Sequence, residues 1–370
     1  MHMSEKIRVL QVIPTFGLAG AEIMCEQLVD GLLSTGRYEI FVVSFYTYHS
    51  PITVRMEQKR INLIYLGKKH GFDPSIVFKL IKIMKRCRIH IVHTHLYALS
   101  YAIPAAICAN VPIRIHTIHN VATKEARKIK RRIAGFFYKY CQVVPVSISP
   151  SVKNTVIEEY NMDESIPLIC NGIDLSRCLV KEDYAVHGIF RFLHIGRMAE
   201  QKNHRTILQA IKRLKCEGRR FAIDFIGTGP YEKELRDSVQ EMNLHDSVSF
   251  YGLQSNVYPY LNRADCFLLP SLYEGMPMTL IEAMGSGLPI IASGVGGIPD
   301  MITNEESGIL ITPSEEDLYI AMCRMMDMGA AQRERLGRNA LERSQLFSAN
   351  SMSAGYERLY TSEYYNRFNK

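Results

Sequence analysis

No stretch of the 370-residue chain approaches the ~20 consecutive apolar residues that a membrane-spanning helix needs. The longest candidate, residues 98–109, is too short and contains Pro104. The N-terminus reaches the strand-like residues 7–10 without the apolar core and cleavage site of a signal peptide. Nine cysteines are present, but no two form a C-x-x-C pair, which favours reduced cysteines in a cytoplasmic protein over a metal site.

The composition is that of a soluble globular protein, with 47% hydrophobic and 22% charged residues, which excludes disordered and collagen-like classes. The length exceeds the roughly 250–300 residues at which a single hydrophobic core stops growing, so we expect two domains. The break falls near residues 174–187, which are polar, charged and weakly periodic. No internal sequence repeat is evident, which excludes a solenoid.

The net charge of +7 is carried by the first half of the chain. Residues 1–180 hold 23 lysines and arginines against 13 acidic residues, a net of +10, whereas residues 181–370 hold 21 against 24, a net of −3. Two runs, 79–88 and 124–139, mix cations with apolar residues at helical spacing. They fit an anionic membrane surface or a phosphate-bearing substrate, although a solvated helix face has the same pattern. No aromatic RNA-binding motif accompanies them, so we expect no nucleic-acid partner.

Short β-branched runs alternate with amphipathic helical stretches through both halves. This alternation predicts parallel sheets with helices on both faces. The expected fold is α/β, with two facing Rossmann-like domains and a cleft between the carboxyl ends of their strands, where open α/β sheets bind ligands. The predicted strands are residues 7–13, 40–44, 62–66, 89–93, 113–116, 143–146, 166–170, 190–195, 221–226, 248–251, 265–269, 289–292 and 308–311.

Glycine pairs follow two of these strands. Gly17 and Gly20 precede a predicted helix in the first half, and Gly227 and Gly229 do so in the second. Glycine permits a tight turn and close approach of the backbone to a ligand, and the helix N-terminus suits a diphosphate. The Gly17–Gly20 segment is not a G-x-G-x-x-G and no Walker Lys-Ser/Thr follows it, so an ordinary strand–helix turn stays an alternative there.

Two cations follow the strand 190–195. Arg197 and Lys202 stand after Gly196 and before a helix that Asn203 is expected to cap. Cations at a strand end can neutralise a diphosphate leaving group. The chain contains no D-x-D, so a carboxylate-held Mg²⁺ on such phosphates has no evident ligand pair, and we expect no metal.

The segment 270–289 carries two glutamates eight positions apart. Glu274 is expected on a loop after a strand, and Glu282 on the following helix. Gly275 and Pro277 let backbone amides turn toward a ligand. A carboxylate accepts paired hydrogen bonds from sugar hydroxyls, so one glutamate can hold a ribose and the other a hexose; solvent-facing charge is the alternative.

Four histidines cluster at predicted strand ends of the first half. They form His93-Thr94-His95 and His116-Thr117-Ile118-His119. A zinc site without a nearby acidic ligand has little support. Structural roles and substrate contact both stay open, with His119 the best candidate for contact.

Taken together, these segments resemble the large retaining glycosyltransferase family 4, whose GT-B fold has two facing Rossmann-like domains. The resemblance is collinear from Ile7 to about Ile311, and the Glu-x7-Glu spacing together with the upstream Arg and Lys is specific as a set. The matching pieces are Gly17 to Glu22, His93 to His95, His119, Val146-Ser147, Asn171 to Asp174, Gly196-Arg197, Lys202-Asn203, Gly227 to Pro230, Glu274-x7-Glu282 and Gly296 to Pro299.

The resemblance implies three regions and a set of roles. The regions are an N-terminal acceptor-side domain at 1–178, a nucleotide-sugar-binding domain at 179–346, and a C-terminal helical segment at 347–370 that crosses back to the first domain. The implied catalytic residues are Arg197 and Lys202 on the diphosphate, Glu274 on the transferred sugar and His119 near that sugar. The implied substrate-binding residues are Gly17, Gly20, Gly196, Asn203, Gly229, Gln254 near the base, Gly275, Met276, Pro277, Met278, and Glu282 on the ribose.

The implied reaction is transfer of a sugar, with retention of configuration, from a nucleotide-diphosphate sugar to a glycan acceptor. UDP is the family's commonest nucleotide, and the donor is a substrate, so no cofactor is expected. The basic first half fits a lipid-linked acceptor in bacterial capsule, exopolysaccharide or lipopolysaccharide assembly, with peripheral attachment to the inner face of the cell membrane. A nucleotide-sugar epimerase of the same fold and a non-catalytic nucleotide-sugar-binding subunit stay open.

Overall fold

The computed structural model of the protein describes residues 6–368. The chain separates into two compact units, one formed by the residues up to Ile173 together with those from Ala349, the other by Asp174–Ser348. The sequence placed these boundaries after residues 178 and 346. The outer ends of the predicted first domain and C-terminal segment, residues 1–5 and 369–370, lie outside the described residues.

The first unit is built on a six-stranded parallel sheet in the order β3-β2-β1-β4-β5-β6. Helices flank the sheet, so its central strands are buried on both faces, with polar side chains such as Gln11, His93 and His95 among the apolar ones. The elements are β1 (Ile7–Ile13), α1 (Gly20–Ser34), β2 (Tyr38–Ser44), α2 (Pro51–Gln58), β3 (Asn62–Tyr65), α3 (Ser75–Arg86), β4 (Ile91–His95), α4 (Leu99–Cys108), β5 (Ile113–Ile118), α5 (Ala122–Glu125), α6 (Lys128–Tyr140), β6 (Val143–Ser147) and α7 (Pro150–Tyr160).

The second unit repeats the architecture with a sheet in the order β12-β11-β10-β7-β8-β9. Its elements are β7 (Phe190–Ile195), α8 (His204–Cys216), β8 (Phe221–Ile226), α9 (Glu232–Glu241), β9 (Val248–Phe250), α10 (Tyr258–Arg263), β10 (Cys266–Leu269), α11 (Met278–Gly285), β11 (Ile290–Ser293), α12 (Ile298–Met301), β12 (Ile309–Ile311), α13 (Glu315–Asp327) and α14 (Ala330–Ser344). The prediction of an α/β fold with two parallel Rossmann-like sheets is confirmed.

The last helix, α15 (Ala349–Phe368), belongs to the first unit. It packs against α1 at Gly31, where a Cβ atom would lie 2.0 Å from the Ser353 hydroxyl oxygen. Glycine at this position therefore permits the close approach of the two helices. Tyr356 and Tyr360 of α15 are fully buried.

One predicted strand, at residues 166–170, is wrong. The segment forms a single bridge, between Ser147 and Leu168, at the edge of β6. Two backbone hydrogen bonds join it to Ser147, donated by Ser147 N–H to Pro167 O and by Ile169 N–H to Ser147 O. Pro167 has no N–H with which to extend the ladder. Within residues 6–368, no helix is both long enough and apolar enough to cross a bilayer.

Candidate active site

Two glycine loops pack backbone to backbone at the carboxyl end of β7 and β8. A Cβ atom at Gly227 would lie 2.1 Å from Gly196 O, and one at Gly229 would lie 2.3 Å from Met198 O. Met198 N–H donates to Thr228 O at 3.0 Å across the same contact. Only glycine fits Gly227 and Gly229, and Gly227 also has a φ of +129°. The predicted base-side stretch borders this pair, since Gly227 N–H donates to Gly252 O and Gln254 donates to Tyr251 O.

A buried ion pair joins the two elements that the sequence singled out. Lys202, at the end of the 3-10 turn Glu200–Lys202, donates from Nζ to Glu274 Oε1 at 2.6 Å. Gln201 Nε2 donates to the other carboxylate oxygen at 3.2 Å and to Tyr273 O at 3.0 Å. The Lys202 and Glu274 side chains are only 13% and 6% exposed. Burial strengthens the attraction between the two charges, and each charge neutralises the other.

Gln201 is a site residue that sequence reasoning missed. In the sequence, Gln201 is marked only by its position beside Lys202. Its contact partner Glu274 lies 73 positions away along the chain, so spacing does not indicate the contact.

A glycine turn packs against the backbone of Glu274. Gly296 has a φ of +55°, and a Cβ atom there would lie 1.7 Å from Glu274 O. Gly297 N–H also points at this carbonyl, at 3.4 Å. Forward of Glu274, Gly275, Met276, Pro277 and Met278 are buried and lead into α11, whose N-cap is Pro277 without a side-chain cap. The first amides of α11 have no partner inside the helix.

Asn203 stands at the N-cap position of α8, as expected, but its side chain does not cap the helix. Asn203 adopts a left-handed conformation with φ +55°, and its side chain accepts no hydrogen bond from the backbone of α8. Its amide donates instead to Pro270 O at 3.1 Å and Pro313 O at 3.2 Å, while Oδ1 accepts from the Thr206 hydroxyl. Asn203 thus ties the loop after β7 to those after β10 and β12. Its predicted contact with substrate stays a prediction.

Arg197 and Glu282 both lack a strong partner. Arg197 is exposed, and its side chain makes no ion pair or hydrogen bond within the part of the chain that the structure describes. Glu282, on α11, is 8% exposed and its carboxyl group likewise forms no hydrogen bond or ion pair with residues 6–368. Burial raises the pKa of Glu282 to about 7, opposed only by the nearby charge of Arg177. A buried polar group without a partner is well suited to accept hydrogen bonds from a ligand.

In the first unit, neither Gly17 nor Gly20 has a positive φ. A Cβ atom at Gly17 would come no closer than 3.9 Å to another atom. The backbone conformation therefore does not require glycine at either position, and the close approach of a ligand stays the reason to expect it.

The four histidines lie at the ends of β4 and β5. His93, His95 and His116 are fully buried, and burial lowers the pKa of each. His119 is half-buried, with its pKa lowered to about 4 by burial, and His95 Nδ1 lies 3.1 Å from His119 Nε2. Among the described residues, no three His, Cys, Asp or Glu side chains are grouped as metal ligands.

A buried carboxyl group lies near the backbone of His119. Burial raises the pKa of Glu125, on α5, to about 7, and the nearby N–H groups of His119 and Asn120 oppose that rise.

Two protein-family models match the sequence of this chain. The model for Glycosyltransferase Family 4 matches residues 18–177, and that for Glycosyl transferases group 1 matches residues 185–343. The UDP-Gal:alpha-D-GlcNAc-diphosphoundecaprenol alpha-1,3-galactosyltransferase of Escherichia coli is 30% identical over 69% of this chain and 71% of its own. The Staphylococcus aureus capsular polysaccharide biosynthesis glycosyltransferase CapH is 26% identical over 78% and 82%.

A solved structure shares the fold. HepE of Anabaena, in complex with UDP and glucose, superposes with a TM-score of 0.84 over 96% of this chain and all of its own. The two sequences are 17% identical, so this likeness supports the fold alone.

Proposed function

Since the chain belongs to the family 4 glycosyltransferases and is a glycosyltransferase, we propose that it moves a sugar from a UDP-sugar to a lipid-linked glycan in bacterial surface polysaccharide assembly. The observation that carries the proposal is the buried Lys202–Glu274 pair beside the packed glycine loops, with Arg197 exposed next to Gly196. The acceptor class is supported by the Escherichia coli relative, whose name specifies a diphosphoundecaprenol-linked sugar.

In the proposed reaction the bond between the sugar C1 and the diphosphate oxygen breaks, and negative charge develops on the diphosphate. Lys202 and Arg197 stabilise that charge, and Lys202, which is held in place by Glu274, acts most strongly where the charge appears. The acceptor hydroxyl oxygen bonds to C1 from the leaving-group side, which retains configuration, and its proton passes to the leaving diphosphate. Glu274 holds a hydroxyl of the transferred sugar and need not form a covalent bond to it.

Glu282 is proposed to hold the ribose. Its carboxyl group is buried and without a hydrogen bond in the described chain, and as a carboxylate it can accept from two neighbouring hydroxyls. Hydrogen bonds to the charged form offset the desolvation that raises its pKa to about 7.

Thermal unfolding with nucleotides tests the donor half of the proposal. We expect UDP or a UDP-sugar to stabilise the protein by about 2.7 kcal/mol at a hundred times its Kd, with or without EDTA. Arg197→Ala should weaken nucleotide affinity by roughly tenfold, a loss typical of one charge-assisted hydrogen bond. Lys212→Ala is the matched control, because Lys212 is also exposed on the second unit. Stabilisation that EDTA abolishes would contradict the metal-independent reaction, and no stabilisation by any nucleotide would contradict the donor.

Product analysis separates the two remaining alternatives. An epimerase would convert the sugar nucleotide with no acceptor present, whereas the proposed transferase would consume it only with an acceptor. A binding subunit would retain donor affinity without turnover on any acceptor.

We further propose that α6 and α3 attach the first unit to an anionic membrane, where a lipid-linked acceptor resides. Ile129, Phe136 and Tyr140 of α6 are exposed, Ile129 to 74%, and Phe78 of α3 is exposed to 71%. Cations surround these apolar groups on both helices. Exposed apolar side chains mixed with lysine and arginine are typical of helices that lie in the membrane interface.

Charge reversal tests this attachment. Lys128→Glu with Arg132→Glu should lower binding to vesicles containing phosphatidylglycerol about tenfold or more, because each cation near such a surface contributes ~1 kcal/mol. Arg131 is left intact, since it is paired with Glu159 at 2.7 Å and its loss would disturb folding. The control is Lys212→Glu with Arg220→Glu, an equal charge change on exposed residues of the second unit. Equal cosedimentation of both double variants would overturn the proposal.

A further inference from the structure

A continuous run of buried hydrogen bonds joins α15 to the strands of the first unit. Tyr356 OH lies 2.6 Å from Thr117 Oγ1, and Thr117 Oγ1 lies 2.7 Å from His93 Nε2. His93 Nδ1 is in turn 2.6 Å from Tyr360 OH. All four side chains are fully buried. This polar cluster is unusual between a parallel sheet and a helix, where apolar contacts normally dominate.

Gln11, in the middle of β1, extends the run to the candidate active site. Its Nε2 donates to Tyr360 OH at 3.0 Å, and its Oε1 lies 3.0 Å from His95 Nε2. His95 Nδ1 then meets His119 Nε2 at 3.1 Å. The strand register explains the alignment, since Gln11 pairs with His93 and His95 with Thr117, so these side chains share one face of the sheet.

The donors and acceptors in this run fix where the protons lie. Gln11 Oε1 can only accept, so His95 Nε2 carries a proton. Burial keeps His95 neutral, with a single ring proton, so its Nδ1 must accept. His119 Nε2 is therefore the donor, and the Nδ1 of the neutral His119 ring is left as an acceptor. Within residues 6–368, His119 Nδ1 has no hydrogen bond of its own.

We propose that Gln11 is a positioning residue which, through His95, holds His119 as the Nε2–H tautomer and so presents His119 Nδ1 as an acceptor for a sugar hydroxyl. The inference rests on the proposed place of His119 beside the transferred sugar. It makes the site selective for a sugar with a hydroxyl group at that point, because a deoxy sugar leaves the acceptor unpaired. A ring free to exchange tautomers would instead present a donor part of the time.

Ring-nitrogen NMR of the full chain with ¹⁵N-labelled histidine tests the tautomers without any activity. In the unaltered protein, both His95 and His119 should show a protonated Nε2 and an unprotonated Nδ1, with the signals assigned from His95→Gln and His119→Gln. In Gln11→Met, which removes both side-chain hydrogen bonds of Gln11, His119 should become a mixture of tautomers. A protonated Nδ1 on His119 in the unaltered protein, or an unchanged His119 in Gln11→Met, would overturn the inference.

The matched control is Thr94→Val. Thr94 bonds to His116 Nδ1 at 2.8 Å, and it alternates with His93 and His95 along β4, so it lies on the opposite face of the sheet. This variant removes a buried hydroxyl without touching Gln11, and the His119 signals should not change. Because the unaltered protein already gives a decisive reading, the test stands even if Gln11→Met folds poorly.

Kinetics separate this inference from the proposed function. Gln11→Met should lower kcat/KM for sugar transfer about tenfold while leaving affinity for UDP alone unchanged, since UDP lacks the sugar. The difference in kcat/KM between Gln11→Met and the unaltered protein should be smaller for a donor sugar that lacks the hydroxyl group at the contacted position. A drop in UDP affinity equal to the drop in kcat/KM would indicate a merely structural effect and overturn the positioning role. Correct tautomers in a protein that transfers no sugar would support the inference and count against the proposed function.

Discussion

Replacing Lys202 by methionine is expected to lower kcat by roughly 10²–10³-fold, the loss found when one pre-aimed charge-stabilising group is removed from an active site. Methionine keeps much of the side-chain volume that packs near Gly196 but removes the cation. The effect should fall on the chemical step more than on nucleotide affinity, because the charge that Lys202 meets is larger in the transition state than in the bound donor. Steady-state kinetics with a UDP-sugar and its acceptor measure this split.

The same substitution should destabilise the fold. Glu274 would be left buried with only the Gln201 amide on one oxygen, and breaking a buried pair from one side costs about 3–5 kcal/mol. Lys202→Met with Glu274→Gln should recover most of that stability in urea unfolding, because no buried charge remains. It should recover none of the activity. Recovered stability would assign the instability of Lys202→Met to the unpaired Glu274 carboxylate. The activity of the double variant does not isolate Lys202, because Glu274 is itself proposed to hold the transferred sugar.

The matched control is Arg205→Met, which breaks an ion pair with Glu234 on the same unit. That pair is largely exposed, and such pairs contribute little to stability. Full activity in Lys202→Met would remove the leaving-group role from the proposed function. A double variant as unstable as Lys202→Met would show that Glu274 is not the source of the instability.

Much of the fold was predictable because its signals are local. Parallel strands that are covered on both faces are mostly short apolar runs. These runs predicted the positions of the strands of both sheets to within a few residues. The failure at residues 166–170 arose where an apolar, β-branched segment contains Pro167, whose missing N–H stops the ladder after one bridge. Asn203 makes no side-chain cap because its backbone is left-handed. Asparagine favours N-cap positions but also tolerates this conformation, so the sequence did not distinguish the two.

The candidate site was predictable only in part, for a related reason. Glu274 and Lys202 stood out by position after strands, but their ion pair spans 72 residues of sequence and could not be derived from spacing. Gln11 carried a signal that could have been used, since it is a polar residue in the middle of the apolar strand β1. Its partner Tyr360 lies 349 positions away, so only the folded chain shows why a glutamine belongs there.

Gly296→Ala is expected to lower kcat/KM by about 10²-fold, since a displacement of roughly 1 Å at a catalytic group can have that effect. The added Cβ atom would lie 1.7 Å from Glu274 O and 2.8 Å from Glu274 C, both backbone atoms that cannot rotate away. The glycine turn or the Glu274 backbone must therefore move, which displaces the carboxylate from Lys202. Steady-state kinetics and urea unfolding of the purified variant measure the two consequences.

The matched control for Gly296→Ala is Gly218→Ala. Gly218 also has a left-handed φ, +74°, but a Cβ atom there meets no atom within 4 Å. Both variants carry the backbone strain of an alanine at positive φ, roughly 1–2 kcal/mol, and only Gly296→Ala adds the collision with Glu274. Gly218→Ala should therefore lose stability while keeping kcat/KM. If Gly296→Ala shows the same pattern, strain alone explains it, and the turn at residues 294–299 does not hold the Glu274 carboxylate in place for sugar transfer.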